Sequence, residues 1–512
     1  MAPCAAELAA SEHDVSGVDV AEQPELGGGA AVAARAFAAG ERVFCERALV
    51  VASGHTNLAR VRAYCGLTHE GRRALREQYF GEAPAVRCAA TAACRPDAVG
   101  SGDSAAEVFE ALRAEDEHGD LTLDEVQSVI RVWNLNAYDC ALAPVACKVN
   151  HSCAPNVSVH VDVDTGTITA TACRPILKGE VLGSWYFQDT GLWWMGTDVR
   201  RALFETDRGF LCACARCCTP DRCRSLPCDL CSKGASVPEG KAVGASPGNS
   251  APLAWQCSAC GHSAPGNAVR LAAEAEVVPR VLLELRPPKG VPRSAPEEIV
   301  ALASDVRAKL GPRHWASAAA ALVMHFRVRP PGGALDAFAV ACGCRFLGWL
   351  MDSGLPQPPA AIVRTPISVT LDCAAWLTRD MADGKTAARD RRCIVGRLLS
   401  QFLLPIFDAS GEAVAKVANT GMRVQVLREW LHKLQCTCGH CGRSLAADKA
   451  TSGDADCTAA PTAMLSCGRC KQVRYCGREC QLADWKAGHK AGCLAASESL
   501  AGEAAWQLLT SA

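Results

Sequence analysis

The 512-residue sequence predicts an α+β protein: a strand-rich first half closed by a cysteine clip, then a ribbon-like metal module, a helical region and a C-terminal zinc-binding module. Three observations predict it. Period-two alternation marks strands in the first half, as in VSVHVDVDTGTITATA (157–172). Apolar residues spaced by three and four dominate roughly 268 to 435, the pattern of packed helices. The third observation is 31 cysteines, densest from Cys212 to Cys260 and from Cys436 to Cys493, many at the spacing of metal knuckles. At roughly 150 residues per domain, the length suggests about three domains.

Composition excludes several classes of function. Lys+Arg 53 against Asp+Glu 54 gives a net charge of -1, and no local basic patch stands out, so direct sequence-specific nucleic-acid binding is not expected. The start MAPCAAELAASEHD has neither a basic n-region nor an unbroken apolar stretch, and no window approaches a membrane span. The expected compartment is therefore reducing, cytoplasmic and/or nuclear, where cysteines serve as thiolate ligands rather than disulfides. Aromatics are only 5% and alanine is overused, so small side chains must fill many core positions.

Along the chain, residues 1–26 read as a disordered tail. Ala30 to Ser53 reads as a hairpin about Gly40. Helix-like pieces with isolated cysteines fill 54–104, and Glu107 to Ala137 has amphipathic helical spacing. Val145 to Tyr186 returns to strands, with Asp164, Thr165 and Gly166 as a hairpin turn. A Gly/Ser/Pro linker covers 232–252. The helical region 268–435 is broken at Pro287/Pro288, at Pro330/Pro331 and at Pro356, Pro358 and Pro359, with Trp315, Trp349, Trp376 and Trp430 expected in its core. A tail helix is expected within 495–512.

Three strings carry chemistry: NHSCAPN (150–156), KGEVLGSWY (178–186) and RRALFETDRGFLCACARC (200–217). Singly they read as a polar loop, a strand end and a metal clip. Together and in this order they resemble the SET-domain protein-lysine methyltransferases, particularly the SET and MYND (SMYD) branch. The opening GGGAAVAARAFAAGERVFCERALVV (27–51) extends the resemblance to 27–218, with an insert at 54–105. The resemblance implies a SET-type β-fold with a post-SET zinc clip. It implies an S-adenosylmethionine site using Gly28, Asn136, Asn150, His151 and Phe210, and a methyl-transfer pore lined by Tyr186, the catalytic candidate that also borders the cofactor. The substrate implied is a protein lysine. Two residues depart from the family pattern. Ala30 replaces the second glycine of a GxG turn, and Arg208 stands where many relatives carry a second channel tyrosine. The MYND module is also absent from its usual place in the first half of the SET domain.

Cys212, Cys214 and Cys217 form CxCxxC, one thiolate short of tetrahedral zinc. In the resembled family Cys153 is the fourth ligand, with Cys218 and Cys223 as neighbouring alternatives. Two CxxC knuckles, Cys228/Cys231 and Cys257/Cys260, point to a zinc-ribbon-like segment over 219–265. The block 436–494 resembles a MYND zinc finger. That resemblance implies one zinc on Cys438, Cys441, Cys476 and Cys480 and another on Cys467, Cys470, His489 and Cys493, with Cys436 as a possible substitute in the first set. It also implies a protein-interaction surface for a proline-rich peptide. The competing reading is a non-catalytic adaptor or transcriptional corepressor whose degenerate SET domain scaffolds zinc modules.

Overall fold

The computed structural model describes residues 13–23, 28–77, 103–115, 121–187, 193–208, 210–231, 234–238, 254–264, 268–288, 290–330, 332–355, 364–382, 392–403, 435–441 and 464–510, together with 429 and 432. The chain divides into two compact units, Met1–Trp193 with Thr197–Cys218, and Trp194–Gly196 with Thr219–Ala512.

In the first unit, β1 (Val18–Gln23) pairs antiparallel with β2 (Gly28–Ala33). The expected tail at 1–26 is corrected over 13–23, where Asp14 also exchanges backbone hydrogen bonds with Cys45 (2.7 and 2.8 Å); residues 1–12 and 24–26 lie outside the described residues. VDVAEQ is too short and acidic to read as a strand alone; the alanine-rich GGAAVA, with Ala30, Ala31 and Ala33 buried, supplies its partner. The expected hairpin at 30–53 is corrected as well. Gly40 does turn, at φ 81°, yet β3 (Arg42–Arg47) pairs with β8 (Thr167–Ala172) and not with β2. Phe37 exchanges backbone hydrogen bonds with Ile176 (2.9 and 3.0 Å), which leads the chain away from a local return. β7 (Val157–Asp162) completes the sheet β3-β8-β7, joined to β8 at Gly166 (φ 68°). Beneath lie Phe44, Val157, Ile168 and Leu182 among buried alanines, the small-residue core that composition requires.

A second core in this unit is helical, built from α1 (Asn57–Cys65), α2 (His69–Leu75), α3 (Ala105–Ala114) and α4 (Leu123–Asn136). Capping boxes start α3 (Ser104 with Glu107) and α4 (Thr122 with Glu125), and satisfy amides that the first turn leaves unpaired. Val61, Tyr64, Leu112, Ile130 and Trp133 meet between them. β4 (Val50–Val51) pairs with β5 (Ala141–Leu142), which delivers the chain to β6 (Asn150–His151). β9 (Gly183–Ser184), α5 (Thr197–Arg208) and the short α6 (Ala215–Cys218) complete the unit.

The second unit opens with a four-stranded sheet, β10 (Leu226–Pro227), β11 (Ala235–Pro238), β12 (Trp255–Cys257) and β13 (Ser263–Ala264) in sequential order. Helices α7 (Ala268–Leu285), α8 (Pro296–Leu310), α9 (Trp315–Arg327), α10 (Ala337–Asp352), α11 (Arg364–Ala382) and α12 (Arg392–Arg397) follow. Trp315 and Trp349 are buried and Trp376 is half-buried, while Trp430 and Pro356 to Pro359 lie outside the described residues. Arg224, next to the sheet, meets α7 at the buried Glu274, which also accepts from His314 Nε2 at 2.9 Å. His314 Nδ1 accepts the Ala316 N–H (3.1 Å) and caps α9, so Nε2 carries the proton. Beyond α12 come β14 (Leu465–Ser466), β15 (Arg474–Tyr475), α13 (Arg478–Asp484) and α14 (Glu503–Thr510), the last within the expected tail helix. Among the described residues no helix is long and apolar enough to cross a membrane.

Candidate active site and metal centres

The two central motifs meet because β6 and β9 pair in parallel, Asn150 opposite Gly183 and His151 opposite Ser184. Asn156 staples them: its Oδ1 accepts from Gly183 N–H (2.7 Å), and its Nδ2 donates to Glu180 Oε1 and Val181 O (both 2.9 Å). The approach is close enough that a Cβ on Gly183 would lie 2.8 Å from Ser152 Cβ, so only glycine fits there.

This pairing sets Tyr186 beside His151, ring centroids 5.4 Å apart. Phe204, from α5, lies 3.9 Å from the His151 ring, with Trp185 at 5.2 Å and Phe210 at 6.2 Å. In that apolar shell His151 is pushed down to about 3, by burial first and then by Arg200, Arg208 and Arg216, so the imidazole is neutral. Asn150 Nδ2 and His151 Nδ1 are buried and have no hydrogen-bond partner in the protein. Orphaned buried groups on consecutive residues fit a site that takes a polar ligand. Tyr186 Oη donates to Val149 O (2.9 Å), and burial holds its pKa well above the usual phenol range.

Of the other candidates, Gly28 starts β2 opposite Gln23. At Gly29 a Cβ would meet only ordinary contacts, the nearest being Val20 Cγ1 at 3.4 Å. Asn136 ends α4, and its Nδ2 turns back to Val132 O (3.0 Å). Arg208 points inward: its guanidinium lies 6.0 Å from the ring centroids of both Tyr186 and Phe187 and donates to Asn134 O. Sequence reasoning missed Tyr138, whose hydroxyl is shared between Val149 O (3.1 Å) and Ser184 Oγ (2.7 Å), and it missed Phe204 and Arg200. The available signal was the i, i+4, i+8 spacing of Arg200, Phe204 and Arg208, which puts them on one face of a helix.

Among the described residues four clusters bring donor atoms within 4.8 Å of one another: Cys153, Cys212, Cys214 and Cys217; Cys228, Cys231, Cys257 and Cys260; Cys438, Cys441, Cys476 and Cys480; and Cys467, Cys470, His489 and Cys493. Tetrahedral zinc with bonds of about 2.3 Å needs sulfurs about 3.8 Å apart. Measured pairs agree: Cys153–Cys212 3.9 Å, Cys228–Cys260 3.8 Å, Cys441–Cys476 3.6 Å and Cys467–Cys493 3.7 Å. Each cluster holds at least one thiol drawn towards thiolate, while neighbours such as Cys153, Cys212, Cys260, Cys480 and Cys493 are raised. Hydrogen bonds from Cys153, Cys212 and Cys217 pull the Cys214 thiol far below its ordinary range. The amides of Cys231 and Leu230 lower Cys228 to about 6, and Cys493 together with His489 lowers Cys470 to about 3. Cys438, which burial would raise, is brought down to about 6 by the amides of Cys441, Cys476 and His440. The alternatives stand apart, since Cys218 Sγ bonds Ala213 O and Cys436 Sγ faces His432 Nδ1.

Residues 28–187 match the family model of the SET domain, and residues 438–493 match that of the MYND finger. A stretch of 47 residues is 47% identical to ubiquitin carboxyl-terminal hydrolase 19 of Arabidopsis thaliana, covering 9% of this chain and 7% of that protein. The SET match gives the first unit a lysine-methyltransferase-type fold, and the finger is a protein-interaction module with zinc-binding cysteines. The chain therefore carries a SET domain followed by a C-terminal MYND finger.

Proposed function

We propose that the protein is an S-adenosylmethionine-dependent protein-lysine N-methyltransferase, acting on a histone or non-histone lysine in the cytoplasm or nucleus. In this reading the MYND finger recruits a proline-rich partner. The observation that carries it is the β6–β9 pairing, which sets Tyr186 against His151, while Asn150 Nδ2 and His151 Nδ1 on β6 are buried without partners in the protein. Bound S-adenosylmethionine supplies an electrophilic methyl group on sulfonium. The protein's part is alignment and exclusion of water. Asn150 and His151 orient the donor, and Trp185, Phe204 and Phe210 keep the region dry. Tyr186 Oη stays protonated and directs the incoming amine. The amine must be neutral to attack, and burial lowers a lysine's pKa in that direction. The four donor clusters each hold a structural zinc, and that on Cys153 ties the 150–156 loop to the segment carrying Phe210.

Arg208 favours the second reading, a non-catalytic adaptor, because its cation faces the ring of the pore tyrosine and opposes a lysine ammonium. Transfer of labelled methyl from S-adenosylmethionine to arrays of lysine peptides and proteins separates the two. Labelled lysine is the expected product; its absence from every substrate, with the zinc-replete protein folded, would leave the adaptor.

A further inference from the structure

We propose that Arg200 is a positioning residue for the metal of the Cys153 cluster, an inference that rests on the reading that zinc occupies that cluster. The side chain is 1% exposed. Its Nε donates to Cys153 Sγ at 3.3 Å, and one terminal nitrogen reaches both Thr197 Oγ1 (2.9 Å) and Cys217 Sγ (3.6 Å). Four thiolates around a divalent cation leave two net negative charges in a buried site, since Cys153, Cys212 and Cys217 are nearly inaccessible. A guanidinium donating to two of those sulfurs offsets part of the charge and holds both in the bonding direction. Arg200 is not alone on its helix face. One turn on, Phe204 packs on His151, and one turn further, Arg208 lies over Tyr186, so a single helix edge spans the cysteine cluster, the cofactor histidine and the pore. Arg200 thereby anchors this edge to the metal.

The test challenges the full-length, zinc-loaded protein with a chromogenic zinc chelator while iodoacetamide labels freed thiols, which are mapped by mass spectrometry. The other three clusters serve as internal controls. In Arg200→Met, which keeps volume and removes charge and donors, Cys153, Cys212, Cys214 and Cys217 are expected to label about tenfold faster or more. Arg200→Lys, which restores a charged donor, should recover part of the loss; a merely space-filling role predicts the reverse order. Unchanged labelling in Arg200→Met, or Met retaining zinc better than Lys, overturns the proposal. If Arg200→Met does not fold, Thr197→Val removes the hydroxyl that orients the guanidinium and should still speed labelling of the same four cysteines; wild-type rates there overturn the proposal too. Failure of the underlying reading looks different: in the wild type the chelator would draw no zinc from this cluster, and its four cysteines would label at the same rate with and without chelator.

Discussion

Tyr186 donates its hydroxyl to Val149 O, an acceptor it shares with Tyr138. Removing that hydroxyl leaves the carbonyl satisfied and the ring packing intact, so Tyr186→Phe is a clean probe of chemistry. We expect methyl transfer to fall about 10²-fold while affinity for S-adenosylmethionine stays within a few fold. Single-turnover rates combined with equilibrium binding check this, and undiminished turnover would remove Tyr186 from the mechanism. Tyr186 and His151 were legible because their motifs stand intact in sequence. Phe204 and Tyr138 were not, because a residue earns its place in this shell from packing between segments far apart in the chain.

At the scale of elements, the parallel pair β6–β9 is the joint of the site, and Gly183 permits it. Gly183→Ala should cost about 1–3 kcal/mol in chemical denaturation, since its Cβ meets Ser152 Cβ at 2.8 Å; an unchanged midpoint would show that the joint yields easily. The second unit has its own joint at Glu274. Burial would raise this carboxyl, but hydrogen bonds from Arg224 and His314 outweigh burial and hold it at about 2 against 4.5 ordinarily. Its stabilisation is therefore present above pH 4.5 and lost as the pH falls towards about 2. His314, lowered from 6.5 by burial, adds stability above pH 6.5 that declines below it. Melting temperature should thus drop on the acid side, and Glu274→Gln, which breaks a buried pair, should cost about 3 kcal/mol at neutral pH and flatten the drop between pH 4.5 and 2. A parallel acid profile for the variant would contradict this. Local periodicity was sufficient for the hairpin β7–β8 and for helices α3 and α4. It misplaced β2 and β3, whose partners β1 and β8 are chosen by long-range register rather than by the turn at Gly40.

Across the whole molecule, four donor clusters predict four zinc ions per chain, and metal analysis returning two or fewer would dismantle the assignment. Chelation should lower the melting temperature strongly, because structural zinc contributes folding free energy directly. Cysteine spacing made three of these sets readable from the residues or from the finger they resemble. Cys153 was reached only through the SET resemblance, since 59 residues separate it from Cys212. Its sulfur sits two residues from His151, 3.3 Å from His151 Nε2, so metal and cofactor region should fail together. Cys153→Ser is expected to release about one zinc and weaken cofactor binding, while Cys218→Ser does neither. Calorimetric titration of S-adenosylmethionine into the zinc-replete protein decides whether this SET domain keeps a working cofactor site despite Ala30 and Arg208. Saturable binding at one site per chain, lost in Asn150→Ala, is the expected result; no binding heat across a range of temperatures would contradict it.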